Sequence, residues 1–199
     1  MIKDIFQKVL ANALSALYQP FWLALLLATM FMFVWKQYKS AKAAVIYWIA
    51  WFRAEKRFRI MFFLAFYTAM ILFRTLLNRV IWLNPISNVI GVWGLHTKNS
   101  TGEVVFTTEV IENLALFIPF TVLLLCVYHD KIVKPEMKIG RVLWESTKIV
   151  YIFSFTIEML QLFLRLGTWQ LSDLFYNTLG GFIGGLIYWI GWKFSKRKK

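Results

Sequence analysis

Residues 149–192 read IVYIFSFTIEMLQLFLRLGTWQLSDLFYNTLGGFIGGLIYWIGW. Two apolar runs flank a short turn. A run of about 20 such residues is what an α-helix needs to cross a hydrocarbon core ~30 Å thick. The few polar residues inside these runs are ordered. Glu158, Gln161 and Arg165 fall at i, i+3 and i+7, which predicts one stripe on one helix. Asp173 and Asn177 open the second run, and Gly180, Gly181, Gly184 and Gly185 follow.

Working outward, the rest of the chain repeats the pattern. Of its 199 residues, 59% are hydrophobic and 19% aromatic, including ten Trp and nineteen Phe. A soluble domain of this length has no use for so much apolar surface. The expectation is an all-α, polytopic transmembrane bundle of about five spans, near residues 14–35, 60–77, 113–128, 149–166 and 174–192. Pro20 is expected to kink the first span and Pro119 to bend the third. The apolar segment AAVIYWIAWF, residues 43–52, is too short to cross. It reads either as a helix lying in the membrane interface or as a loop helix packed under the bundle. Three regions result: residues 1–59 (an N-terminal span plus a basic, aromatic segment), a transmembrane core at 60–192, and a basic tail at 193–199.

Net charge is +13. The cations cluster between apolar runs, at 36–59, at 131–148 and in the tail. That distribution points to anionic lipid headgroups at a cytoplasmic face and away from nucleic acid. The loops around residues 79–108 and 167–172 are poor in Lys and Arg. The positive-inside rule therefore predicts the N-terminus outside and the C-terminus in the cytoplasm. The single cysteine, Cys126, excludes an intrachain disulfide. Residues 1–19 lack the features of a cleavable signal peptide.

With this topology the membrane-embedded polar groups collect on one side. Arg74 and Arg79 end the second span, Asn113 opens the third, Glu158, Gln161 and Arg165 occupy the outer half of the fourth, and Asp173 and Asn177 open the fifth. A charge in a membrane helix costs roughly 2.5–3.5 kcal/mol, so such groups face the bundle or water and find partners. Arg74, Arg79 and Arg165 are the available partners of Glu158. Such a cluster either glues helices together or lines an outward polar pocket. Glu109 and Glu112 read as first-turn acids complementing a helix dipole, and Ser172 as a helix cap. The pairs Gly180/Gly184 and Gly181/Gly185 predict close helix packing, with Gly191 continuing the face. His96 and His129 lack metal-ligand spacing, so neither metal nor cofactor is expected. No Ser or Cys nucleophile stands with a His base in the outer half, and no phosphate loop is present, so no catalytic residue is assigned. The carboxylates Glu158 and Asp173 leave acid–base chemistry as an alternative.

These residues resemble, in order and spacing, the VanZ-like family of bacterial membrane proteins. Residues 113–120, NLALFIPF, are similar to its N-x-x-x-F-I-P-F signature, with Thr121 where the family usually has Gly. Glu158-Met-Leu-Gln161 resembles its E-x-x-Q. Gly167, Asp173, Asn177-Thr178-Leu179-Gly180-Gly181 and Gly184 resemble its ending, and Arg79 and Pro85 match positions in its first outer loop. Many members carry an acid three residues before the position of Asp173, where this chain has Gln170. That departure weakens a two-carboxylate mechanism. The resemblance covers residues 60–192. It implies a protein of the bacterial cell membrane, acting near lipid-linked cell-wall precursors or teicoplanin-type lipoglycopeptides and lowering susceptibility to them. The alternatives are an intramembrane enzyme or small transporter acting on a lipid, or a structural membrane subunit.

Overall fold

The computed structural model describes residues 3, 6–8, 10–12, 20–36, 41–77, 79–98, 102–133 and 138–197. It is an all-α membrane bundle. Helices α1 (Phe21–Lys36), α2 (Ala41–Ala54), α3 (Lys56–Leu72), α4 (Glu109–Ile132), α5 (Ile139–Leu164) and α6 (Leu171–Arg197) follow one another. Helix α3 continues into a π-helical stretch, Phe73–Leu77. A two-stranded hairpin, β1 (His96–Lys98) antiparallel to β2 (Val104–Phe106), sits in the loop before α4. The described positions among residues 3–12 are helical.

Among the described residues, three helices are long and apolar enough to span a membrane: Lys56–Leu77, Glu109–Ile132 and Ile139–Leu164. Helix α6 has 27 residues, about 40 Å at 1.5 Å per residue, but polar residues and glycines dilute its apolar character. The first span is expected over 14–35; its described helix begins at Phe21, and residues 14–19 lie outside the described residues. Pro20 stands just before this helix rather than inside it, and its carbonyl accepts from Ala24 N at 2.8 Å. A proline ring is tolerated at a helix start, and the kink expected at Pro20 depends on residues 14–19, outside the described residues. Pro119 lies within α4, and the helix runs through it unbroken.

Helix α2 has 14 residues, only about 21 Å. Trp48, Trp51 and Phe52 pack on Phe58 and Phe62 of α3. Val45, Ile46, Tyr47 and Ile49 point outward, exposed. One face covers the bundle and the other is apolar, as in a helix lying along a membrane surface. Lys36 lies 3.3 Å from the Trp51 ring centroid and 3.7 Å from Glu55 Oε2, joining α1 to this layer.

Helix α6 is the centre of the packing. It contacts α4 and α5 extensively, while α4 and α5 touch each other little. The glycines explain this division. A Cβ at Gly180 would strike the Leu114 carbonyl of α4, and one at Gly184 would lie 2.7 Å from Thr121 Cβ of the same helix. A Cβ at Gly181 would lie 2.6 Å from Val150 Cβ of α5, and one at Gly185 would strike Ser146. Each small-xxx-small pair thus serves a different neighbour. Gly191 does not continue either face, since among the described residues nothing lies within 4 Å of its would-be Cβ. On the other side, α3 packs against α1 and α4.

The loop after the π-helical stretch is strapped to the turn between α5 and α6. Trp82 N donates to Arg165 O, Trp169 N to Pro85 O and Leu171 N to Val89 O, each at 2.8 Å. Val92 N donates to Ser172 Oγ at 3.1 Å. Ser172 is therefore a loop anchor in the first turn of α6, not its cap.

A polar cavity at one end of the bundle

The polar residues converge where α3 ends, α4 and α6 begin and α5 finishes. They surround a cavity of about 590 Å³. Arg79, Asn113, Glu158, Gln161, Asp173 and Asn177, all expected from the sequence, line it. Glu158 and Gln161 are each 2% exposed, Asn177 5% and Asp173 7%, so their polar atoms must find partners inside the protein.

Most do. Glu158 Oε2 accepts from Gln170 N at 3.1 Å. Gln161 Nε2 donates to Thr75 O at 2.6 Å. Asn113 Nδ2 donates to Asp173 Oδ1 at 2.6 Å, tying α4 to α6. Asn177 Nδ2 donates to Ser154 Oγ at 3.0 Å, tying α6 to α5. One atom is left over: Asn177 Oδ1 is buried and has no partner among the described residues. Arg79 lies at the exposed rim, and its charge acts on Glu109, Glu158 and Asp173 together. Its Nη1 would be 3.6 Å from a Cβ at Gly167, whose φ of +102° suits glycine.

The π-helical stretch makes part of this wall. Residues of an α-helix hide their carbonyls in the i→i−4 ladder, whereas a π turn shifts the register and re-aims groups, often at functional sites. Here Thr75 O receives Gln161, and Arg74 and Leu77 reach the cavity.

Arg165 is not brought to the cavity. The stripe that predicted it assumes a helix through residue 165, but α5 ends at Leu164. Arg165 takes the left-handed conformation of a helix C-cap, φ 55° and ψ 37°, and its side chain is exposed. Conversely, Glu109, Glu112 and Asn12 line the cavity without having been expected there. Glu112 is more than a dipole complement. It pairs with Arg74 at 2.5 Å and accepts from Asn12 Nδ2 at 2.7 Å and from Thr108 Oγ1 at 2.5 Å. Arg74 is thereby used by Glu112, not Glu158. The available signal was the position of Glu112 beside Asn113, at the same end as the other polar groups. Among the described residues, no group of three or more His, Cys, Asp or Glu is arranged to hold a metal ion.

The sequence model of the VanZ/LLP1 family matches residues 16–192. The chain belongs to that family. The match starts well upstream of residue 60, where the resemblance is expected to begin, and takes in α1 and α2. A curated relative, Protein VanZ of Enterococcus faecium, is 28% identical over 117 residues. That alignment covers 56% of this chain and 66% of the relative, just under two thirds of its length. No solved structure matches. The polar residues of the motifs resembling the family, namely Asn113, Glu158, Gln161, Asp173 and Asn177, all line the one cavity. Their apolar companions Phe117 and Phe120 lie in the core beneath it.

Proposed function

We propose that the cavity is an outward-facing binding site on the bacterial cell membrane. It engages a lipid-linked cell-wall precursor or a teicoplanin-type lipoglycopeptide and so lowers susceptibility to such antibiotics. The observation that carries this reading is the convergence of Arg79, Asn113, Glu158, Gln161, Asp173 and Asn177 on one cavity. Buried acids and amides around an open volume are costly when they serve only as glue. Orientation follows from charge: Arg57, Arg59, Lys131, Arg141 and Lys193 lie at the opposite end of the bundle, the end expected to face the cytoplasm. The cavity then opens outside, where cell-wall precursors and antibiotic meet. Binding is favoured over two-carboxylate catalysis because Gln170 stands where many members have a second acid.

Glu158→Gln and Asp173→Asn test this, since each keeps size and removes charge. Expressed and inserted at normal levels, both variants should lose the shift in teicoplanin susceptibility that the unmodified chain confers. A normal shift in both would refute the reading. A reporter fused at residue 1 should report from outside the cell, and a cytoplasmic signal would overturn the five-span topology.

A further inference from the structure

Beside the polar cavity lies a second one, of about 510 Å³, between α1, α3 and α4. Phe73 and Leu77 of the π-helical stretch line both. The two differ in chemistry. The second is walled by Leu27 and Phe31 of α1 and by Leu64, Ala65 and Ala69 of α3. Its hydroxyls are already used within the protein. Thr68 Oγ1 donates to Leu64 O at 2.7 Å, and Tyr128 Oη donates to Met61 Sδ at 3.7 Å. A polar occupant would go unsatisfied there, and a hydrocarbon chain would not. The groove follows α3 from Met61 to Leu77, about 24 Å at 1.5 Å per residue. That exceeds half of the ~30 Å hydrocarbon core, the depth of one leaflet.

The polar cavity makes the opposite demand. Among its described lining residues are the carboxylates of Glu109, Glu112, Glu158 and Asp173 and the guanidiniums of Arg74 and Arg79. Arg74 is taken up by Glu112. Arg79 lines the same cavity from its exposed rim. The described lining therefore holds four acids and two cations, one of them already paired. Independently, Asn177 Oδ1 is an acceptor without a donor among the described residues, in a residue 5% exposed. The acids favour a cationic group and the orphan acceptor calls for a hydrogen-bond donor, and an ammonium is both.

We infer that the two cavities form one bipartite site for an amphiphile with an ammonium-bearing head. The head lies among Glu158, Asp173 and Asn177, and the hydrocarbon chain passes Phe73 and Leu77 into the groove along α3. This inference rests on the binding reading above and narrows its ligand to a chemical class.

The test uses the full chain in phosphatidylcholine nanodiscs, photolabelled with a diazirine-bearing hexadecylamine. Labels should map to the groove residues of α1 and α3. Unlabelled hexadecylamine should compete at least tenfold better than hexadecyl phosphate or butylamine. Ala65→Trp, which fills the groove, should reduce labelling at least tenfold, and Ala65→Leu serves if the larger residue prevents insertion. Ile152→Trp, on the exposed face of α5, should leave labelling unchanged. Equal competition by the phosphate would overturn the head assignment. Labels spread over Ile152 and Phe163 instead of the groove would overturn the chain assignment. The susceptibility test is separate. Lost resistance in Glu158→Gln without groove labelling defeats this inference alone, and groove labelling with normal resistance defeats the functional reading alone.

Discussion

Gly181→Ala probes the packing that builds the site. The added Cβ would lie 2.6 Å from Val150 Cβ and 2.7 Å from Val150 Cγ2. Carbon atoms rest about 3.5–4.0 Å apart, so the overlap is roughly 1 Å. Val150 is fully buried and, being β-branched in a helix, has little rotamer freedom with which to move aside. Overpacking of this kind costs about 1–3 kcal/mol. Against it stands the helix-propensity gain of Gly→Ala, about 1 kcal/mol. Gly191→Ala isolates that gain, because nothing lies within 4 Å of its would-be Cβ on the same helix. The two variants should therefore differ by about 1–3 kcal/mol, with Gly181→Ala the weaker. Equilibrium unfolding in mixed micelles measures this. Adding Val150→Ala to Gly181→Ala should recover at least about 0.5 kcal/mol beyond additivity, since the clash is then relieved. Equal stability of the two alanine variants, or strict additivity with Val150→Ala, would refute the close approach of α5 and α6.

Two more perturbations address the site's frame. Gln161→Leu removes the 2.6 Å bond to Thr75 O and should cost about 0.6–1.7 kcal/mol, with faster hydrogen exchange at residues 73–77 read by mass spectrometry. Arg165→Gly should be neutral or add up to about 1 kcal/mol in the same unfolding assay, because glycine takes the left-handed cap more easily.

Much of this was legible in the sequence because two periodicities were strong. Apolar runs bounded by cations located the long spans, and intramembrane polar residues near the ends of these runs located one end of the bundle. Four of the cluster's residues, Glu158, Gln161, Asp173 and Asn177, could be placed from helical spacing alone. Spacing failed where the backbone left the ideal helix. Arg165 departs from its stripe at a left-handed cap, and Thr75 offers a carbonyl because of a π turn. Neither event is written in the apolar pattern. Glu112 was misjudged for a different reason. A first-turn acid has an adequate local explanation in the helix dipole, and only tertiary contacts with Arg74 and Asn12 reveal a second role. Gly191 shows the converse, since a stripe drawn by spacing runs on past the point where neighbours end.

The intercalation of α6 has a consequence for biogenesis. Helices leave the ribosome in chain order, so α4 and α5 enter the membrane before the helix that holds them together exists. They contact each other little, and until α6 arrives Asn113 and Ser154 lack the partners they find in Asp173 and Asn177. Until then these groups are without those partners, and α6 completes both the packing and the cavity. A chain cut short before α6 would present those groups to membrane quality control, whatever the intrinsic stability of its earlier helices.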